Sequence, residues 1–299
     1  MKKFLAELIG TFALVLVGCG SAVGANALFT ALGMGLPVAF TSLLIAAAFG
    51  GTCIAMYYTF SSISGAHLNP AVSLGMLVQG RMGVKDFFLY IVAQFIGAIA
   101  GAGVLALFVQ GRTSLDANAY GSSSTFGITL YMALGIELVM TFLFVLVFLR
   151  VTEDKEKTAA SGLIIGIALA AVYLFSIPFT GGCANPARAF GPAIIQLSTA
   201  ISQVWVFIVA PFIGGLLAGL VNKVFSSEPK LKVAEVEAAG EDTDEIEETA
   251  EDKKAAKEAK KAAKEAAKEA KKAEKDPIGA ALDKEEAEEE TEETEDAKN

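Results

Sequence analysis

Long apolar stretches separated by short polar segments fill the first 227 residues, and a block of almost continuous charge follows. Six apolar stretches fall at roughly 4–25, 37–58, 87–109, 128–149, 159–178 and 203–225. A membrane-crossing helix needs about 20 mainly apolar residues, so each stretch predicts one span. The first could also be read as a signal peptide, with Lys2-Lys3 ahead of the apolar run and Ser21-Ala22-Val23 as a small-residue cleavage site. Glu7 inside the run, and a repeat that needs this segment, argue that it stays.

Composition agrees with lipid as the solvent. The chain is 54% hydrophobic and 19% charged, against about 45–50% and about 25% in a soluble domain. The net charge of −9 hides a segregation. Residues 1–227 hold 10 Lys and Arg against 7 Asp and Glu, whereas residues 228–299 hold 14 against 26. The prediction is therefore a membrane domain over 1–227 and a charged tail over 228–299, with no basic face for nucleic acid. Within the tail, 253–275 contains only Ala, Lys and Glu, which favours helix but offers no apolar stripe to bury. The Glu- and Thr-rich stretch 285–296 reads as disordered. A solvated extension and a docking segment for an unknown cytoplasmic partner both fit.

Basic residues set the orientation. Lys2, Lys3, Arg81, Lys85, Arg150, Lys155, Lys157 and Lys223 fall at the N-terminus, in the second and fourth loops and at the end of the sixth span. The other loops carry only Arg112 and Arg188. The positive-inside rule puts both termini in the cytoplasm of a plasma membrane. Catalysis finds little support. One histidine and three scattered cysteines make neither a zinc site nor a disulfide framework, and no hydrolase elbow or phosphate loop is present.

Three blocks recur in order. ELIGTFALVLV (7–17) returns as ELVMTFLFVLV (137–147), with Glu7/Glu137 and Thr11/Thr141 in register. SGAHLNPAVSLG (64–75) returns as TGGCANPARAFG (180–191), and AQFIGAIAGAGV (93–104) as APFIGGLLAGLV (210–221). Each unit, about 1–110 and about 127–227, holds three spans, so the second enters from the opposite face as an inverted repeat. In each, Asn is a preferred helix cap and Pro a preferred first helical residue. Asn69-Pro70-Ala71 and Asn185-Pro186-Ala187 then start helices running to about Gln79 and Gln196. At 1.5 Å per residue these reach about half a bilayer. The predicted fold is an all-α membrane protein: six transmembrane helices plus two re-entrant half-helices that meet near the midplane.

In these features residues 4–225 resemble the aquaporin family (major intrinsic proteins), in its bacterial water-channel form. The resemblance implies a homotetramer with one pore per subunit and no cofactor or metal. It implies a passive channel, not an enzyme, that conducts water down an osmotic gradient and excludes protons and ions. The physics is compatible. Each half-helix N-terminus carries about half a positive charge, and a water that accepts from Asn69 and Asn185 must point its hydrogens outward and cannot relay a proton.

By spacing from the two Asn-Pro-Ala boxes, the family's aromatic/arginine filter corresponds to Phe49, Tyr173, Gly182 and Arg188. An arginine at membrane depth is costly and points to function, and a conducting route must run past it. Tyr173 departs from the histidine usual in water channels and leaves the filter's width and polarity open. Glycerol-conducting members carry Asp after the arginine and a basic residue after the following Gly-Pro, whereas this chain has Ala189 and Ala193. Water is favoured; glycerol or another small neutral solute such as hydrogen peroxide is the alternative. His67 either lines the pore or bonds within its loop. Cys183 stands one residue beyond the family's mercury-sensitive position, which predicts weak mercury block. The resemblance makes Glu7 and Glu137 braces for the re-entrant loops, with a proton relay as the rival. A coupled transporter and a mere anchor for the tail are the other functional classes.

Overall fold

The structure, a computed structural model, describes residues 1–33, 38–111, 114–153 and 159–226. The expected tail at 228–299, together with Arg112, Lys155 and Lys157, lies outside the described residues. Every apolar stretch forms a helix, and no strand occurs among the described residues. In chain order the helices are α1 (Lys2–Ala31), α2 (Val38–Ser64), α3 (Pro70–Val78), α4 (Val84–Phe108), α5 (Leu130–Glu153), α6 (Ser161–Thr180), α7 (Pro186–Gln196), α8 (Ala200–Gln203) and α9 (Val206–Phe225). Six are long and apolar enough to cross a membrane, the last spanning Ala200–Phe225 through α8 and α9. The main departures from the sequence boundaries are at the ends of α1, which runs to Ala31 rather than about residue 25, and of α2, which runs to Ser64 rather than about residue 58. The extra turn of α2 brings the Ser64 hydroxyl to Glu7, 2.7 Å away.

The two half-helices begin and end as local chemistry dictates. Asn69 and Asn185 are extended, with φ of −158° and −154°, and each is followed by Pro as the first helical residue. Their Oδ1 atoms accept from the freed backbone N–H groups: Ala71 for Asn69, and Ala187 and Arg188 for Asn185. Gly80, at φ +74°, closes α3 because a left-handed residue past a helix end turns N–H groups back onto its last carbonyls. The α7 helix ends at Leu197, also left-handed, whose N–H reaches Ala193 O at 3.1 Å.

Missing side chains let the spans pack closely. A Cβ on Gly97 of α4 would lie 2.3 Å from Leu8 O of α1, and one on Gly214 of α9 would lie 2.6 Å from Leu138 O of α5. These glycines occupy equivalent places in the repeat, so each half is zipped in the same way. The half-helices lean on the opposite repeat. Ala71 O in α3 approaches Gly215 of α9, and Gly191 of α7 approaches Ala98 O of α4. Backbone contact of this kind suits lipid, where apolar burial between helices contributes little and van der Waals packing dominates. The outward faces stay apolar and exposed, with Phe88, Val92, Ile96, Leu143 and Ile167 among them.

Candidate functional site

The loop before each half-helix carries backbone that most residues avoid. Ala66 and Leu68 have φ of 48° and 52°, and Ala184 has φ of 48°. Such left-handed residues cost roughly 1–3 kcal/mol each and persist where neighbours hold them. Here the holders are two buried carboxylates. Glu7 Oε1 accepts from Ser64 Oγ and His67 N, and Oε2 from Leu68 N and Gln94 Nε2, all within 2.9 Å. Glu137 Oε1 accepts from Thr180 Oγ1 at 2.5 Å, and Oε2 from Ala184 N at 3.0 Å. Each carboxylate thus accepts from backbone N–H groups of the loop it faces as well as from side chains.

Held in this way, the tips of α3 and α7 meet. Asn69 Nδ2 donates to Ala184 O at 2.7 Å, and Asn185 Nδ2 donates to Leu68 O at 2.8 Å. A primary amide has two N–H donors. Each asparagine thus caps its own helix through oxygen, ties to the other loop through one N–H, and has a second N–H beyond those bonds. Both are almost but not wholly buried, at 3% and 2% exposure.

Phe49, Tyr173, Gly182 and Arg188 converge on one place. The Phe49 and Tyr173 ring centroids are 4.3 Å apart, and the Arg188 guanidinium carbon lies 5.1 Å from the Phe49 centroid and 6.0 Å from that of Tyr173. Tyr173 Oη donates to Cys183 O at 2.8 Å. A Cβ on Gly182 would lie 3.2 Å from the Tyr173 ring, so the missing side chain makes room for the phenol. Phe49, Tyr173 and Arg188 expose no surface to water. At this level the two rings are in direct contact, and the arginine is joined by a carboxylate that the sequence reading did not single out.

That carboxylate belongs to Asp116, in the segment between α4 and α5. Its Oδ2 pairs with Arg188 Nη2, and its carbonyl accepts from Nη1 at 2.9 Å. Asn118 Oδ1 takes the other Nη1 hydrogen at 2.6 Å. Burial pushes the Asp116 carboxyl up to about 6, opposed by the Arg188 charge and a hydrogen bond from Cys19. Asp116 had a signal in the sequence, because it is the sole acidic residue between 87 and 136. Gln94 had one too, as an amide within an apolar span.

The remaining candidates take quieter positions. His67 Nδ1 lies 3.1 Å from Ser73 Oγ, and its ring packs edge-on against Tyr90 and Phe148, leaving 6% exposed. Its side-chain bond thus goes to Ser73 of α3, beyond its own loop. Cys183 is fully buried, with Sγ directed to Asn185 O and Phe207 O at 3.3 and 3.5 Å.

Comparison with known proteins places this geometry. The family described as "Major intrinsic protein" matches residues 1–222. The chain is 43% identical over 243 residues to Aquaporin Z of Rhodopseudomonas palustris, covering 79% of this chain and 98% of that protein. It is 40% identical over 228 residues to Aquaporin Z of Brucella melitensis biotype 1, covering 75% and 97%. Among solved structures, the aquaglyceroporin from Plasmodium falciparum matches with a TM-score of 0.63 at 23% identity, over 73% of this chain and 93% of that one. At that identity the likeness concerns the fold.

Proposed function

The chain belongs to the major intrinsic protein family, and from that premise we propose how its residues make a water channel. It is a multi-pass membrane protein and a passive channel, not an enzyme. The pore passes the meeting point of Asn69-Pro70-Ala71 and Asn185-Pro186-Ala187, and its filter is Phe49, Tyr173, Gly182 and Arg188. The observation that carries this assignment is the cross-bonded pair of asparagines, each with one further N–H at the junction of two helix N-termini. A water there accepts from both amides beside two positive helix ends, so its hydrogens face outward and a proton chain is broken. A hydrated cation meets the same positive ends and Arg188.

Water is the solute, and glycerol the alternative. Ala189 and Ala193, both buried, provide neither the carboxylate nor the basic group that the glycerol-conducting pattern carries at these places. The exposed apolar faces suit lipid and neighbouring copies in a homotetramer. Lys2, Lys3, Arg81, Lys85, Arg150 and Lys223, on the side of the termini, favour a cytoplasmic location for both ends in the plasma membrane.

Osmotic shrinkage of proteoliposomes, with water and glycerol fluxes measured in the same vesicles, tests the proposal. Water flux should exceed that of empty vesicles, need no ion gradient, and outrun glycerol. Flux that appears only with an ion gradient would replace the channel with a coupled transporter.

A further inference from the structure

The Arg188 guanidinium has five N–H donors, and their partners are unequal. Both Nη1 hydrogens go to the loop, one to Asp116 O and one to Asn118 Oδ1. One Nη2 hydrogen goes to the Asp116 carboxylate. The Nε–H is buried and has no protein acceptor. The Arg188 donors that the protein leaves without an acceptor are therefore Nε–H and the second Nη2 hydrogen, and the Asp116 side chain occupies the neighbouring place.

We propose that Asp116 is a fifth filter residue, whose carboxylate competes with water and small hydrogen-bonding neutral solutes for the Arg188 edge and must swing aside for conduction. Three further observations support it, given the assignment of Arg188 to the filter. First, the backbone on both sides of Asp116 is pinned. Leu115 is fully buried and its N–H reaches Gln196 Oε1 at 3.2 Å. Beyond Asp116, Asn118 Nδ2 and Ala119 N both reach Thr180 O, at 3.1 and 3.3 Å. Only the side chain is left to move. Second, that side chain is 18% exposed while Arg188 is fully buried, so it forms the outer layer and has solvent to turn into. Third, Asp116 sits at φ +60°, a left-handed conformation that Asp, Asn and Gly tolerate and most residues do not.

The device is sensitive to acid. The groups facing the carboxyl are Arg188 of α7 and Cys19 of α1, with Tyr173, Cys183 and Glu137 acting on Arg188 behind them. Above about pH 6 the carboxyl is ionised and holds the cation. Below it, protonation removes the negative charge and leaves a weaker neutral contact. Permeability therefore rises as pH falls.

Stopped-flow water permeability of proteoliposomes holding equal amounts of wild type, Asp116→Asn and Asp116→Gly tests this. Both replacements tolerate the backbone angle, so the loop survives. Wild type should gain about fivefold from about pH 7.5 to about pH 5, the order of the difference between a charge-assisted and a neutral hydrogen bond. Asp116→Asn, which keeps a neutral contact, should match that higher value at both pH values, and Asp116→Gly, which keeps none, should equal or exceed it and be equally flat. If wild type conducts but is flat with pH and no slower than either variant, Asp116 is not a filter residue and the channel assignment stands. If none of the three exceeds empty vesicles, the assignment of the pore falls with it.

Discussion

The two re-entrant loops are built on one plan and finished differently. In both, a buried glutamate from the first helix of the repeat holds a strained turn, a serine or threonine hydroxyl donates to it, and an Asn-Pro pair launches a half-helix. Beyond that they diverge. Glu7 also receives Gln94, whereas the equivalent place in the second repeat is Pro211. His67 stands opposite Cys183 in the repeat, and Val72 opposite Arg188. Val72 is fully buried in the apolar core, while Arg188 meets a loop that supplies two carbonyl-type oxygens and a carboxylate. The shared part fixes where the tips meet; the unshared part decides what chemistry they present. A symmetric scaffold can thus carry a buried cation and its carboxylate partner on one side alone.

Exchanging the unshared residues strains that comparison most. Val72→Arg buries a cation with no acceptor, which costs several kcal/mol. No folded, monodisperse protein should emerge from size-exclusion chromatography in detergent. The reciprocal Arg188→Val should fold, because Asp116 can turn to solvent, and should raise the glycerol-to-water permeability ratio; an unchanged ratio would remove Arg188 from the filter. Next come the braces. Glu7→Leu strands four donors at roughly 1 kcal/mol or more each, about 4 kcal/mol in all. Glu137→Leu strands the Thr180 Oγ1 and Ala184 N donors and should cost about 2 kcal/mol less. Thermal unfolding midpoints in detergent give the ranking, and the reverse order would show that the second loop leans on its glutamate more.

Smaller effects probe the filter walls. Tyr173→His removes the phenol that touches Phe49 and bonds Cys183 O. Water flux in vesicles should rise, with the water-over-glycerol ratio rising too; a ratio that stays or falls contradicts the placement of Tyr173. The smallest effect is expected at Cys183, whose buried thiol faces Asn185 O and Phe207 O. Mercury should inhibit wild type weakly, and Cys183→Ser should leave that response unchanged.

The six spans, the inverted repeat and the half-helix starts are legible in the chain because each rests on local rules. Apolar length predicts a span, and Asn-Pro predicts a capped start. Glu7 and Glu137 stand out as charges inside apolar runs, since lipid penalises them unless they are held. Their partners could not be read in the same way. Ser64, Gln94 and Thr180 reach the glutamates only once α2, α4 and α6 have packed. Asp116 is the clearest case. It lies 72 residues from Arg188, and nothing local says that the segment between α4 and α5 folds over the filter. Sequence by itself determined which elements enter the membrane and where the half-helices begin, because solvent and backbone hydrogen bonding act residue by residue. Tertiary structure alone decided that two rings touch and that a carboxylate covers the arginine, because contacts between distant segments depend on how whole helices lean on one another.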